Sequence, residues 1–109
     1  MSQIKLKDFL LEKLNNFKIF TNTELDRLSG IHDSINLDNI TKFNNQIDFF
    51  LSNIDLFIQF VKRMDKKNID VTIKNFLSNY DIDIDKYKID IDYDKIKRYI
   101  LCFMEVVQN

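Results

Sequence analysis

Six aspartates crowd residues 81–94, within the stretch YDIDIDKYKIDIDYD, and clustered carboxylates are the residue type that binds hard cations. Asp81, Asp83 and Asp85 hold the first, third and fifth places of a calcium-binding loop of the EF-hand kind. The rest of such a loop is missing. Lys86 stands where the tight turn needs glycine, Lys88 where an apolar residue belongs, and Asp92 is shorter than the bidentate glutamate of the twelfth place. Solvated charges alternating with buried isoleucines are therefore the reading preferred to a metal loop. As a surface, Asp81, Asp83, Asp85, Asp90 and Asp92 form an acidic strip that can pair with a basic groove on a partner or mimic a nucleic-acid backbone.

Other chemistry is thinly supplied. His32 is the only histidine, Cys102 the only cysteine and Gly30 the only glycine. A histidine-based metal cluster, an internal disulfide and a glycine-rich phosphate loop are all excluded. Cys102 follows Ile100 and Leu101, where a thiol acts as a small buried hydrophobe, and we expect it to be inert. No cofactor is implied and no enzymatic activity is expected. Arg27-Leu-Ser-Gly-Ile-His32 has the R-x4-H spacing that resembles the catalytic motif of HEPN-type ribonucleases, a resemblance confined to these six residues. It implies an Arg and a His near a helix end, meeting a second copy across a dimer. This chain departs from that pattern: Gly30 interrupts the segment, and Leu28 replaces the usual polar residue after Arg. The residues themselves read as a surface arginine and a loop histidine.

Two basic groups are candidates for nucleic-acid contact: Lys62, Arg63, Lys66 and Lys67, and Lys95, Lys97 and Arg98. They make one patch only if the ends of their helices meet, with Tyr99 placed to stack beside them. Net charge is −1, so no global field favours an anionic polymer or membrane.

The elements that position these residues are helical. With no proline and one glycine, caps must mark the boundaries. Leu6, Leu10, Leu14 and Phe17 predict a first helix from after Ser2 to about Phe20. Thr21-Asn22-Thr23-Glu24 reads as a capping box opening a short second helix that stops at a left-handed Gly30. From an N-cap at Asp38, Ile40, Ile47, Ile54 and Val61 repeat every seven residues. Phe43, Phe50, Phe57 and Met64 follow three residues behind. That seam predicts one continuous central helix over about 38–65. Phe49, Leu56 and Phe60, with Leu51 and Ile58, form a second apolar set on it, either further core or a partner surface. Helices from Asp70 to about Tyr80 and from Asp92 or Asp94 onward complete the expectation. It is an all-α, single-domain bundle of about five helices, with an irregular or short extended segment at about 81–92.

Composition sets the outer bounds. The chain of 109 residues is 45% apolar and 30% charged, which suits one globular domain and not a disordered tail. Phe, Tyr, Met, Ile, Asn and Lys total 58 residues and Gly, Ala, Arg and Pro total 4, the imprint of AT-rich codons. Such bias fits low-GC bacteria and phages, large DNA viruses and some protists. The N-terminus lacks the apolar run of a signal peptide, and Phe49–Val61 is too short and too polar to span a membrane. A reducing cytoplasmic or nuclear setting is expected. The function expected is a non-enzymatic protein-binding module, for instance a viral or phage inhibitor of a host protein or a small helical subunit. A nucleic-acid-associated protein is the alternative. The expected partner is another protein or nucleic acid, with a homo-oligomer allowed and no membrane.

Overall fold

The computed structural model describes residues 2–108. In order they form α1 (Gln3–Ser29), α2 (Leu37–Ser52), α3 (Ile54–Lys62), a 3-10 turn (Lys66–Asn68), α4 (Ile69–Ser78), α5 (Ile84–Tyr87) and α6 (Tyr93–Gln108). The described residues contain no strand, and the architecture is an all-α bundle. None of its helices is long and apolar enough to cross a membrane.

Ser2 caps α1 as the sequence suggested, its side chain accepting from the Lys5 amide. The capping box at Thr21-Glu24 does not open a new helix, because α1 runs through it to Ser29. The reason lies in the apolar period: Leu10, Leu14, Phe17, Leu25 and Leu28 are all buried, and Thr21 fills the place between them. Its hydroxyl donates to the Phe17 carbonyl at 2.8 Å, which satisfies it inside the core. Gly30 does end the helix, but in right-handed conformation (φ −78°), with its amide on the Arg27 carbonyl and the Ile31 and His32 amides on Leu28.

The expected central rod over 38–65 is corrected in two ways. Its N-cap is Asn36 and not Asp38, in a reciprocal capping box with Asn39. More consequentially, the rod is broken at Asn53, whose backbone lies at φ −137°, ψ 66°. The Asn53 side-chain amide donates to the Phe49 carbonyl, its backbone amide donates to Phe50, and its own carbonyl starts the next ladder at Leu56 and Phe57. Ser52-Asn53 is a weak point in any helix, because short polar side chains compete for backbone partners. The bend is sharp. Phe50 and Phe60 would be separated by about 15 Å of rise on a straight helix, yet their rings lie 5.1 Å apart. A heptad pattern is blind to such a bend, since Ile40, Phe43, Ile47, Phe50, Phe57 and Val61 are buried on both sides of it.

The fold-back closes a circuit of seven phenylalanines. Phe17 meets Phe103, then Phe57, Phe50, Phe60, Phe76, Phe43 and Phe17 again, each centroid step between 5.1 and 6.3 Å. The rings come from α1, α2, α3, α4 and α6, so one aromatic cluster ties five helices together. Each tilted or edge-on pair contributes about 0.5–1.5 kcal/mol beyond its buried area. The centre of the bundle is shared by α1, which packs on α2, α3 and α6, and by α6, which packs on α1, α3 and α4.

Residues 81–92 are neither strand nor hairpin. α4 ends in a Schellman arrangement, with the Ile82 amide on the Leu77 carbonyl and the Asp81 amide on Ser78. Asp81 takes the left-handed place at φ 60°. Asp83 then caps α5 and Asp92 caps α6, accepting from the Asp85 and Lys95 amides. Ile82, Ile84 and Ile91 are buried as expected, whereas Ile89 is 99% exposed.

Candidate functional site

Arg27 and His32, the R-x4-H pair, converge on one residue. The Arg27 guanidinium donates to the Asp90 carbonyl, and His32 Nε2 lies 2.7 Å from the Asp90 carboxylate. Glu24 completes the group, pairing with Arg27 at 2.9 Å and accepting the Asp92 amide at 2.9 Å. Tyr87 packs edge-on to the His32 ring at 4.9 Å and its hydroxyl meets Ser34. This is a latch holding the loop after α1 against the loop before α6. Both residues of the motif thus have partners within the chain.

The acidic strip also has partners within the fold, while its carboxylates stay exposed. Asp81 pairs with Lys42 at 3.5 Å and Asp85 with Lys74 at 2.6 Å; Asp83 and Asp92 are caps, and Asp90 holds His32. The Lys74 bond pulls the Asp85 pKa below its ordinary value, and the same bond raises Lys74. Nearby, Asp70 accepts the Tyr93 hydroxyl, which lowers Asp70, while burial followed by the Asp70 bond pushes Tyr93 up. Among the described residues, no three His, Cys, Asp or Glu side chains converge to hold a metal.

The two basic groups do not form one patch. Gln108 Nε2 donates to the Val61 and Met64 carbonyls at 3.0 Å each, so α3 ends beside the C-terminal end of α6. Lys62, Arg63, Lys66 and Lys67 therefore lie by Gln108, with Lys66 paired to Glu105. Lys95, Lys97 and Arg98 sit at least ten residues away along α6, or roughly 15 Å. Lys97 is committed to Asp70 at 3.5 Å and Lys95 lies over the Phe20 ring at 4.7 Å. The condition for a single patch, that these helix ends meet, is not fulfilled, because α6 packs with its C-terminal end beside the end of α3.

The second apolar set of the seam is divided. Ile58 is core, Phe60 is half-buried between Phe50 and Phe76, and Phe49 and Leu56 are each 49% exposed. Phe60 contributes to the floor of a cleft of about 660 Å³, with Met64 and Phe76, rimmed by Arg63, Asp65, Asn75, Ser78 and Asn79. Phe49 lines an adjoining hollow of about 370 Å³ with Lys42, Asn45, Gln46, Tyr80 and, again, Asn79. Leu56 lies one turn before Phe60 on the same stripe of α3. The bend at Asn53 and the packing of α4 thus turn Phe49, Leu56, Phe60 and Arg63 into parts of one face. It sets apolar side chains among polar ones.

A second surface was not read from the sequence. Lys13 of α1 joins Lys95, Arg98, Tyr99 and Cys102 of α6 around a hollow of about 280 Å³. Asn16, Ile19, Phe20 and Thr23 extend it as a second hollow of about 370 Å³, sharing Lys95 and Tyr99. Cys102 is half-buried here, where its neighbours suggested a buried place. Nothing in the local pattern reveals this groove, because it exists only where α1 packs on α6. Compared with known protein families, with curated proteins and with solved structures, the chain matches none.

Proposed function

We propose that this protein is a non-enzymatic protein-binding module whose docking face is built by α2, α3 and α4. The observation that supports it most is Phe49, 49% exposed in a hollow that shares Asn79 with the cleft lined by Phe60, Met64 and Phe76; Leu56, equally exposed, stands one turn from Phe60 on α3. Large apolar side chains kept half in water beside a cleft are the raw material of interface hot spots. The chemistry-bearing residues Arg27, His32, Asp85 and Asp90 all have intramolecular partners, which leaves this face as the more available surface. The AT-rich codon bias suits a viral or phage factor acting on a host protein inside the cell, or a small subunit of a larger complex.

The test is a Phe49→Asp/Leu56→Asp variant used as bait in native lysate beside the parent chain. Because both residues are half-exposed, the variant should keep its helical circular dichroism and its Tm within a few degrees. It should lose the protein that the parent captures. A folded variant that retains that protein would exclude this face.

A further inference from the structure

Lys13, Lys95 and Arg98 converge on the groove between α1 and α6, and among the described residues none of the three is in an ion pair. No carboxylate lines either half of the groove, although Asp94 lies one turn from Arg98 on α6 and Glu12 one turn from Asn16 on α1. Lys13 and Lys95 lie over the Phe9 and Phe20 rings of α1, at 5.5 and 4.7 Å, so these cations are held by rings and not by carboxylates, which leaves them open to a carboxylate ligand. Two of its cations, Lys13 and Arg98, stand toward one end, while Lys95 lies over Phe20 nearer the other, which also carries Ile19, 58% exposed.

We infer that this groove is a second docking site, and that its occupant is a short extended peptide segment with carboxylates at one end and an apolar side chain at the other. The distance from Lys13 to Thr23 along α1 is about 15 Å, which an extended chain covers in roughly four to five residues. Arg98 is suited to a carboxylate, which its planar guanidinium engages in a fork, and Lys13 supplies a second cation across the groove. A single-stranded nucleic acid fits less well, because it needs open aromatic faces for its bases. Here Phe20 is stacked on Tyr99 at 5.9 Å and capped by Lys95, and Tyr99 meets Phe17 and Phe103 as well. Those rings serve as the wall of the groove.

The experiment uses the full chain and a fluorescein-labelled synthetic peptide with an acidic half followed by a leucine half. Anisotropy at low salt should show saturable binding, and Lys13→Glu/Arg98→Glu should weaken it at least about ten-fold. Both substituted residues are at least partly exposed, and circular dichroism verifies that the variant is folded. An independent reading comes from Cys102, the only thiol, which lines the groove. Saturating peptide should slow its alkylation by iodoacetamide. The Phe49→Asp/Leu56→Asp variant should bind the peptide as the parent does, so loss of the α2–α4 face and loss of this groove are separable. The inference is overturned by an unchanged affinity in the charge-reversed variant, or by an unprotected Cys102 at saturation. It is equally overturned if an oligothymidylate or phosphatidylserine vesicles bind this groove more tightly than the peptide.

Discussion

The seam of residues 40–61 and the segment 81–92 both bury isoleucines, yet they are held in place by different physics. The seam is held by rings. Phe43, Phe50 and Phe57 belong to a closed aromatic circuit that reaches five helices, so each depends on partners distant in sequence. Besides those isoleucines, the segment is held by polar ties: Glu24 on the Asp92 amide, Arg27 and His32 on Asp90, and Lys74 on Asp85. Apolar contacts among buried rings are many and cooperative, whereas exposed polar ties are few and wet. The difference implies two tiers of stability in a chain whose total is on the order of 5–15 kcal/mol.

The comparison can be broken first at the rings. Phe103 is 1% exposed and links Phe17 to Phe57. Phe103→Ala should cost about 3–5 kcal/mol, read as a shift of the whole urea transition by circular dichroism. A loss under 1 kcal/mol would mean that the circuit is not cooperative. Next comes the latch. Asp90→Ala removes the partner of His32 but leaves the core intact, and should cost about 1 kcal/mol. Its signature is local, with faster hydrogen exchange of amides 82–91 and little change in α1 or α6.

A smaller effect of opposite sign is expected at the end of α4. Asp81 occupies the left-handed place at φ 60°, where a side chain is strained and glycine is not. Asp81→Gly should therefore stabilise by about 0.5–1 kcal/mol, less whatever its exposed pair with Lys42 contributes. A lower midpoint in urea would contradict the left-handed assignment. The smallest effect is the pH dependence of the ties. Asp70 and Asp85 have folded pKa values below the ordinary 3.8, so their contribution is complete above that value and is lost as pH falls through the folded pKa. Lys74 is raised above 10.5, so its contribution is complete below that value and is lost as pH rises through its folded pKa. Asp85→Asn should flatten the stability profile at both extremes, and an unchanged profile would remove the pair from the account.

The seam and the first helix were legible because burial imposes a period, and Leu10, Leu14, Phe17, Ile40, Phe43 and Ile47 all keep it. Boundaries were less legible. A capping-box signature at Thr21 is indistinguishable locally from a threonine that satisfies itself on the Phe17 carbonyl, and only burial decides between them. Asn53 shows the converse case. Its heptad neighbours continue undisturbed, and the bend follows from ring packing between residues ten apart. Merging two expected helices into α1 and splitting the central one at Asn53 leaves the number of elements near the expectation for reasons the pattern did not contain. Phe49, Leu56 and Phe60 stood out in the sequence, but the division into half-exposed and core required the position of α4. Lys13 and Cys102 drew no attention as groove residues, since their meeting depends on the α1–α6 contact alone.

The central claim, that the α2–α4 face docks a protein, is tested most directly by site-specific crosslinking. A photoreactive phenylalanine analogue placed at position 49, irradiated in native lysate, should give one predominant protein adduct, and the same analogue at exposed Asn15 on α1 should not. Position 49 yielding no adduct, or the same adducts as position 15, would contradict the account.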